Sequence, residues 1–209
     1  APEEEISRVV PVIERLRAAL TGVPISVDTY KPAVARAAIA AGAHMLNDIR
    51  GLRRDSEIAC IAVEAGVPAV IMHNQRGQAA DDVMGTILEG LMESVRIAAR
   101  VGLPPGHLIA DPGFGFGWRP EENMEMLRRL AELRSLGLPI LVGTSRKSTI
   151  GTVLGGAPVE ERVFGTAATV AIAIANGADI VRVHDVSAMK QVALVADAIV
   201  RGPRAGDSE

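Results

Sequence analysis

The sequence predicts an α/β fold, a (β/α)8 barrel of the TIM type, on three observations. Short runs rich in Val and Ile recur, each followed by a polar residue or a Gly-rich turn and then by a stretch of helical periodicity. Glycines at 42, 66, 102, 137 and 177 close the helical stretches in phrases such as "AGVP", "LGLP" and "NGAD", which lead into the next apolar run. The third observation concerns where the chemistry sits. An open parallel sheet gathers its ligand at one switch point, whereas in a barrel nearly every strand can deliver a functional side chain at its C-terminal end. Here the runs end in Asp28, Asn47, His73, Asp111, the 144–148 segment, and Arg182 with His184.

The elements follow in order. A helix opens the chain at "EEEISRVVPVIERLRAAL", and the first strand covers 25–28. An Ala-rich helix with Pro at its start spans 32–41, followed by a strand at 44–49 and a helix at 56–65 that begins with a capping-type serine. Strands at 69–73, 107–111, 140–144 and 180–185 alternate with amphipathic helices at 81–101, 120–136, 159–175 and 187–200. Barrel closure needs eight strands and about 250 residues. Six strands behind an opening helix therefore lead us to expect that the front strand, helix and second strand of the barrel are missing. Six strands left open would expose a parallel edge. Residues 1–201 are expected to form one domain, and the polar tail 202–209 to fray.

Composition narrows the class. With 209 residues, 48% hydrophobic and 22% charged, the chain is a packed globular domain rather than a disordered, collagenous or coiled-coil one. Its net charge of −3 provides no electrostatic footprint for nucleic acid. Cys60 is the single cysteine, so a disulfide framework or a cysteine-rich zinc site within one chain is excluded. No apolar run reaches the length of a membrane span and no signal peptide opens the sequence, so no membrane association and a cytoplasmic location are expected. Lysine is scarce, three against nineteen arginines, which makes Lys147 a functional candidate. Aromatics are scarcer, yet Phe114, Phe116 and Trp118 crowd into one loop.

Strand alternation sorts the candidates. In "IVRVHD", Val181 and Val183 share one face while Arg182 and His184 share the other, an arrangement for an anionic or π-rich ligand or for a salt bridge to a neighbouring strand. Asp28 and Asn47 face inward at their strand ends, as ligand contacts or as caps of the following helices. Asp111 heads "DPGFGFGW", whose interleaved glycines and aromatics bring backbone and ring faces close to a ligand and lack the dinucleotide pattern. "VGTSRKST" has Arg146 where a phosphate loop requires Gly. It offers instead a basic pair and two hydroxyls at a helix start, suited to an anion such as a carboxylate. His44 and His107 read as structural, and His73 either lines the mouth or bonds a loop. No histidine stands in a zinc-type spacing, and Cys60 lies mid-helix without a nucleophile's surroundings. Two carboxylates, an amide and a lysine, with arginine nearby, suit a flat heterocycle rich in donors and acceptors.

"ISVDT" at 25–29, "LNDIRGL" at 46–52, "LIADPGFGFGW" at 108–118, "VGTSRKSTIG" at 142–151 and "VRVHDV" at 181–186 together resemble the dihydropteroate synthases of folate biosynthesis, in family order along the whole chain. The resemblance implies a barrel enzyme that condenses 6-hydroxymethyl-7,8-dihydropterin pyrophosphate with p-aminobenzoate to give 7,8-dihydropteroate and pyrophosphate. It implies that Asp28, Asn47, Asp111 and Lys147 hold the pterin edge, with Ile49, Met72 and Gly143 lining its pocket and Arg182 stacked on the ring. Arg182 and His184 would receive the pyrophosphate with magnesium, whose protein ligand would lie ahead of this sequence. Ser148 would bind the carboxylate of p-aminobenzoate, with its ring near Phe116 and Lys147. A homodimer is implied, through the later helices. The family's first strand and mobile loop, and its second strand and loop, have no counterpart here, so 209 residues alone are expected to bind pterin with little or no synthase activity. The alternatives are the pterin-binding domain of a methyltetrahydrofolate-dependent methyltransferase, which has no reason to need "SRKS" together with "RVHD", and an inactive pterin-binding fragment.

Overall fold

The computed structural model describes residues 1–78 and 80–202; the expected fraying at 203–209 lies outside the described residues. The chain forms two compact units, residues 1–74 with 89–110 and residues 75–88 with 111–209.

In the first unit, helix α1 (Pro2–Ala19) is followed by β1 (Ser26–Asp28), α2 (Pro32–Ala41), β2 (Met45–Asp48), α3 (Glu57–Ala65) and β3 (Ala69–Met72). The greater part of α4 (Val83–Arg100) and strand β4 (Leu108–Asp111) complete it. The strands form one sheet in the order β1-β2-β3-β4, with β1, β2 and β3 parallel and Asp28 beside Asn47 in register. Strands β3 and β4 are buried along their whole length, which is why they read as unbroken apolar runs rather than alternating ones. Leu46, Ile58, Ile71, Leu103 and Leu108 are at most 1% exposed, and each such side chain contributes about 1.5–3 kcal/mol of apolar burial. Helix α1 is tied to the end of β1 by Glu5, which accepts from the Thr29 hydroxyl at 3.0 Å and from the Lys31 ammonium at 2.5 Å. The Lys31 bond holds the Glu5 carboxyl below its usual range. Helix α2 ends at Gly42 with φ of 109°, a left-handed backbone that favours glycine, and the exposed Arg17 side chain folds over the bare Cα.

The second unit contains α5 (Pro120–Arg128), β5 (Leu141–Val142), the short helix α6 (Ser148–Val153), α7 (Val163–Ala175), β6 (Ile180–Val181) and α8 (Val186–Arg201). Strands β5 and β6 pair in parallel. The six strands among the described residues are the six expected, but the last two are shorter than their sequence runs. The ladder ends where Arg182 donates to the Val142 carbonyl at 3.0 Å; two residues on, the His184 N–H bonds the Ser145 side chain instead. The helix expected over 120–136 is α-helical only to Arg128 and continues as a 3-10 helix from Leu130 to Leu136. The 3-10 geometry eclipses side chains three apart, and Arg129 forks onto Glu132 across that spacing. Residues 159–162 are likewise 3-10 before α7 begins.

Candidate active site

Within the first unit the strand ends behave as alternation requires. Asp28 shares the exposed face of β1 with Ser26, while Val27 is buried on the other. Asn47 is nearly buried on β2. Neither Asp28 nor Asn47 occupies the N-cap position of the following helix: that position is Lys31 for α2 and Ser56 for α3, and neither of those side chains makes a capping bond, the serine expected to do so included. Asp48, which faces opposite to Asn47, has the structural role instead. Its two carboxylate oxygens accept the N–H groups of Arg50 and Leu52 at 2.8 Å each, fixing a turn in which Leu52 has φ of 63°. Burial raises the Asp48 carboxyl above its ordinary value, with the two backbone bonds opposing. Ile49 lies in that turn, its carbonyl held by the Asn74 amide at 3.0 Å, and Met72 is buried at the end of β3. His73 is also buried; its ring packs on Gly90 of α4, where any Cβ would collide with Nδ1. His44 is structural as expected, accepting the Ile25 N–H at 3.0 Å.

The second unit gathers Asp111, Phe116, Gly143, Lys147 and Arg182. Asp111 is nearly buried, and its Oδ1 accepts the Gly113 N–H at 2.8 Å, turning the chain into the glycine loop. Lys147 donates to the Phe114 carbonyl, and its ammonium lies 4.6 Å from the centre of the Phe116 ring. Its stem lies on Gly115, where a Cβ would come within 2.7 Å of Lys147 Cδ; with φ of 77° as well, only glycine serves there. Burial pushes the Lys147 ammonium down to about 8; Asp111 opposes that shift, and Arg182 and Arg76 reinforce it. Arg76 lies on the Phe116 ring, 4.8 Å from its centre. One carboxylate and two arginines therefore act on the Lys147 ammonium, and the balance of charge there is positive. Gly143 faces Arg182, whose Cβ is 3.8 Å from where a side chain would begin.

Several expectations change. Arg182 and His184 are exposed, so no burial cost demands an anionic partner, although Val181 and Val183 do pack into the cluster of Val170, Ile174 and Met189 on the opposite face. Phe114 is fully buried and belongs to the core; Phe116, half-buried, is the accessible ring. The basic pair of "SRKS" is split. Arg146 has φ of 54° and is committed to Asp185 through two bonds of 2.8 and 2.5 Å, which hold the Asp185 carboxyl low. Of the two hydroxyls, Ser148 is exposed at the start of α6 but Thr149 is buried and accepts from Asn123. Arg76, Ser145 and Asn123 carry no signal in the sequence pattern. Ser145 accepts the His184 N–H at 3.1 Å and lies 2.9 Å from its ring Nδ1, leaving Nε2 as the nitrogen available to a ligand.

These positions can be set beside known proteins. Residues 1–184 match the family model described as pterin binding enzyme. The dihydropteroate synthase of Bacillus subtilis (strain 168) is 47% identical over 198 residues, covering 95% of this chain and 69% of the relative. The dihydropteroate synthase of Clostridium difficile, solved in the presence of pteroic acid, superposes with a TM-score of 0.92 at 45% identity over 96% of this chain and 76% of that one. That of Xanthomonas albilineans, in complex with 7,8-dihydropteroate, gives a TM-score of 0.91 at 42% identity over 97% and 78%. Likeness at this level carries the (β/α)8-barrel fold with it. The chain belongs to the pterin-binding enzyme family and, within it, to the dihydropteroate synthases.

Proposed function

We propose that the residues above divide the work of the dihydropteroate synthase reaction, in which a dihydropterin methyl pyrophosphate and p-aminobenzoate give dihydropteroate and pyrophosphate. The observation that carries this reading is the gathering of charge at Lys147: its ammonium and the Arg76 guanidinium lie 4.6 and 4.8 Å from the Phe116 ring, and Asp111 and Arg182 act on the same ammonium. Both substrates are anions, one through its diphosphate and one through its carboxylate. In the second unit Asp111 and Lys147 take up polar groups of the pterin, with Gly143 along its face; in the first, Asp28 and Asn47, flanked by Ile49 and Met72, offer pterin-binding groups. Arg182 stacks on the ring and, with His184 Nε2, receives the diphosphate.

As the carbon–oxygen bond to the diphosphate breaks, its electron pair leaves with that group, and the methylene gains cationic character. The amine lone pair of p-aminobenzoate forms the new carbon–nitrogen bond, and the nitrogen then sheds one proton to solvent. An arylamine is unprotonated at neutral pH, so no strong base is required; positioning and stabilisation of the departing anion carry the catalysis. Ser148 meets the carboxylate and Phe116 the ring. Among the described residues no three His, Cys, Asp or Glu side chains are grouped to hold a metal ion; magnesium in this reaction would be held chiefly by the diphosphate oxygens of the substrate. Family membership supports a cytoplasmic location, and no helix among the described residues is long and apolar enough to cross a membrane.

The test is pyrophosphate release from the dihydropterin pyrophosphate, measured with and without p-aminobenzoate. For these residues joined to the family's first two strands and their loops, release that depends on the arylamine is the expected result; pterin binding without release from that protein supports the inactive reading and overturns this one.

We also propose a homodimer through α7 and α8. Ala171, Ile172, Val192, Val195 and Ile199 border an apolar groove of about 550 Å³, and Phe164 at 87% and Ile199 at 78% exposure stand out from the same helices. Apolar surface of this extent on a small chain marks an association face. Ile199→Asp with Val195→Asp is expected to give a monomer by sedimentation at micromolar concentration. An unchanged mass refutes the interface.

A further inference from the structure

Asn123 sits on α5 in "PEENMEM", among polar residues that read as a solvated face, yet it is fully buried. Its Oδ1 accepts the Gly115 N–H at 2.6 Å. Gly115 presents a donor, so the amide oxygen must face it and the NH2 group must face away. The two amide protons are shared among the Thr149 hydroxyl at 2.9 Å and the carbonyls of Arg119 and Trp118 at 3.0 and 3.1 Å. One rigid planar group thus joins two separate segments. Gly115 lies between Phe114 and Phe116, and Thr149 follows directly on Ser148 and Lys147.

We propose that Asn123 is a positioning residue that fixes the spacing between the Phe116 ring and the Lys147–Ser148 segment, and so sets the affinity for the aryl carboxylate substrate. The inference rests on the reading that this spacing is the p-aminobenzoate slot. The coupling is tight because Lys147 rests on Gly115 with no room for even a methyl group between them. A displacement of Gly115 therefore moves the ammonium against the ring 4.6 Å away. Without the amide, the Gly115 N–H and the Thr149 hydroxyl lose their partner in a water-poor interior, and the loop must shift to satisfy them.

Asn123→Ala is expected to raise the KM for p-aminobenzoate about tenfold, the equivalent of one or two lost hydrogen bonds, with the KM for the pterin pyrophosphate changed less than about twofold. Thr149→Val removes one partner at constant volume and leaves the amide two others; the same parameter rises, by less. It decides the matter if Asn123→Ala does not fold. Phe116→Leu serves as the control on the slot itself. If Phe116→Leu raises the KM for p-aminobenzoate while the Asn123 and Thr149 variants leave it unchanged, or raise both KM values equally as general loosening does, the positioning role is wrong and the slot stands. If Phe116→Leu leaves it unchanged, the slot reading falls and the inference with it.

Discussion

Lys147→Ala lowers turnover on the order of 10²- to 10³-fold, the cost of removing one well-placed donor from a developing anion, and leaves the protein folded. The second half of that expectation follows from the state of the group. An ammonium pushed down to about 8 is held in surroundings that disfavour its charge, so deleting it relieves a penalty at neutral pH. The pH dependence has two opposite limbs. Between about pH 8 and the ordinary lysine value of 10.5 the unfolded chain keeps a proton that the folded chain has lost, so stability rises with pH across that window. Below it the ammonium is charged in both states and the penalty is constant. Turnover needs the charged form and falls as pH rises through the same midpoint. Comparing Tm of the wild type with that of Lys147→Met from pH 7 to 10 isolates the group: the wild type gains on the variant as pH increases. A difference that stays flat, or turnover that survives the alanine substitution, removes Lys147 from the site.

Asp111→Asn keeps an oxygen for the Gly113 N–H, bonded at 2.8 Å in the wild type, and so preserves the turn into the glycine loop. What it removes is the negative charge. Pterin affinity is expected to fall about 10- to 100-fold, the difference between charged and neutral acceptors for the two donors of an aminopyrimidinone edge. A second effect is separable from the first. Asp111 opposes the downward shift of Lys147, so the alkaline limb of the pH–rate profile moves to lower pH in the variant. Calorimetric titration with the pterin substrate measures the one and a pH–rate profile the other. Unchanged affinity with an unmoved limb would place Asp111 outside the site.

The strand–helix order was legible because each strand's apolar run is bounded by a glycine before it and a polar residue after it. "DPGFGFGW" was legible because close backbone approach and turning demand glycine at fixed positions. Strand length at β5 and β6 was not, because their ladder is completed by Ser145, a side chain no periodicity can place. Arg146 and Lys147 look equivalent side by side, and only a carboxylate 39 residues away distinguishes them by taking the arginine. Asn123 and Arg76 were invisible for a related reason: one is a polar residue in a polar helix turn and the other a loop arginine, and each gains its role only from the segment packed against it.

The lysine that rests on Gly115 also has a pharmacological consequence. Burial that pushes its ammonium down to about 8 makes it give up its proton more readily than an ordinary lysine, and the free amine is the nucleophilic form. Lys31 is drawn the other way by Glu5. An aldehyde borne on a flat aryl carboxylate would test the readiness of Lys147 by imine formation with loss of water, at a position whose neighbouring glycine has no room for a side chain.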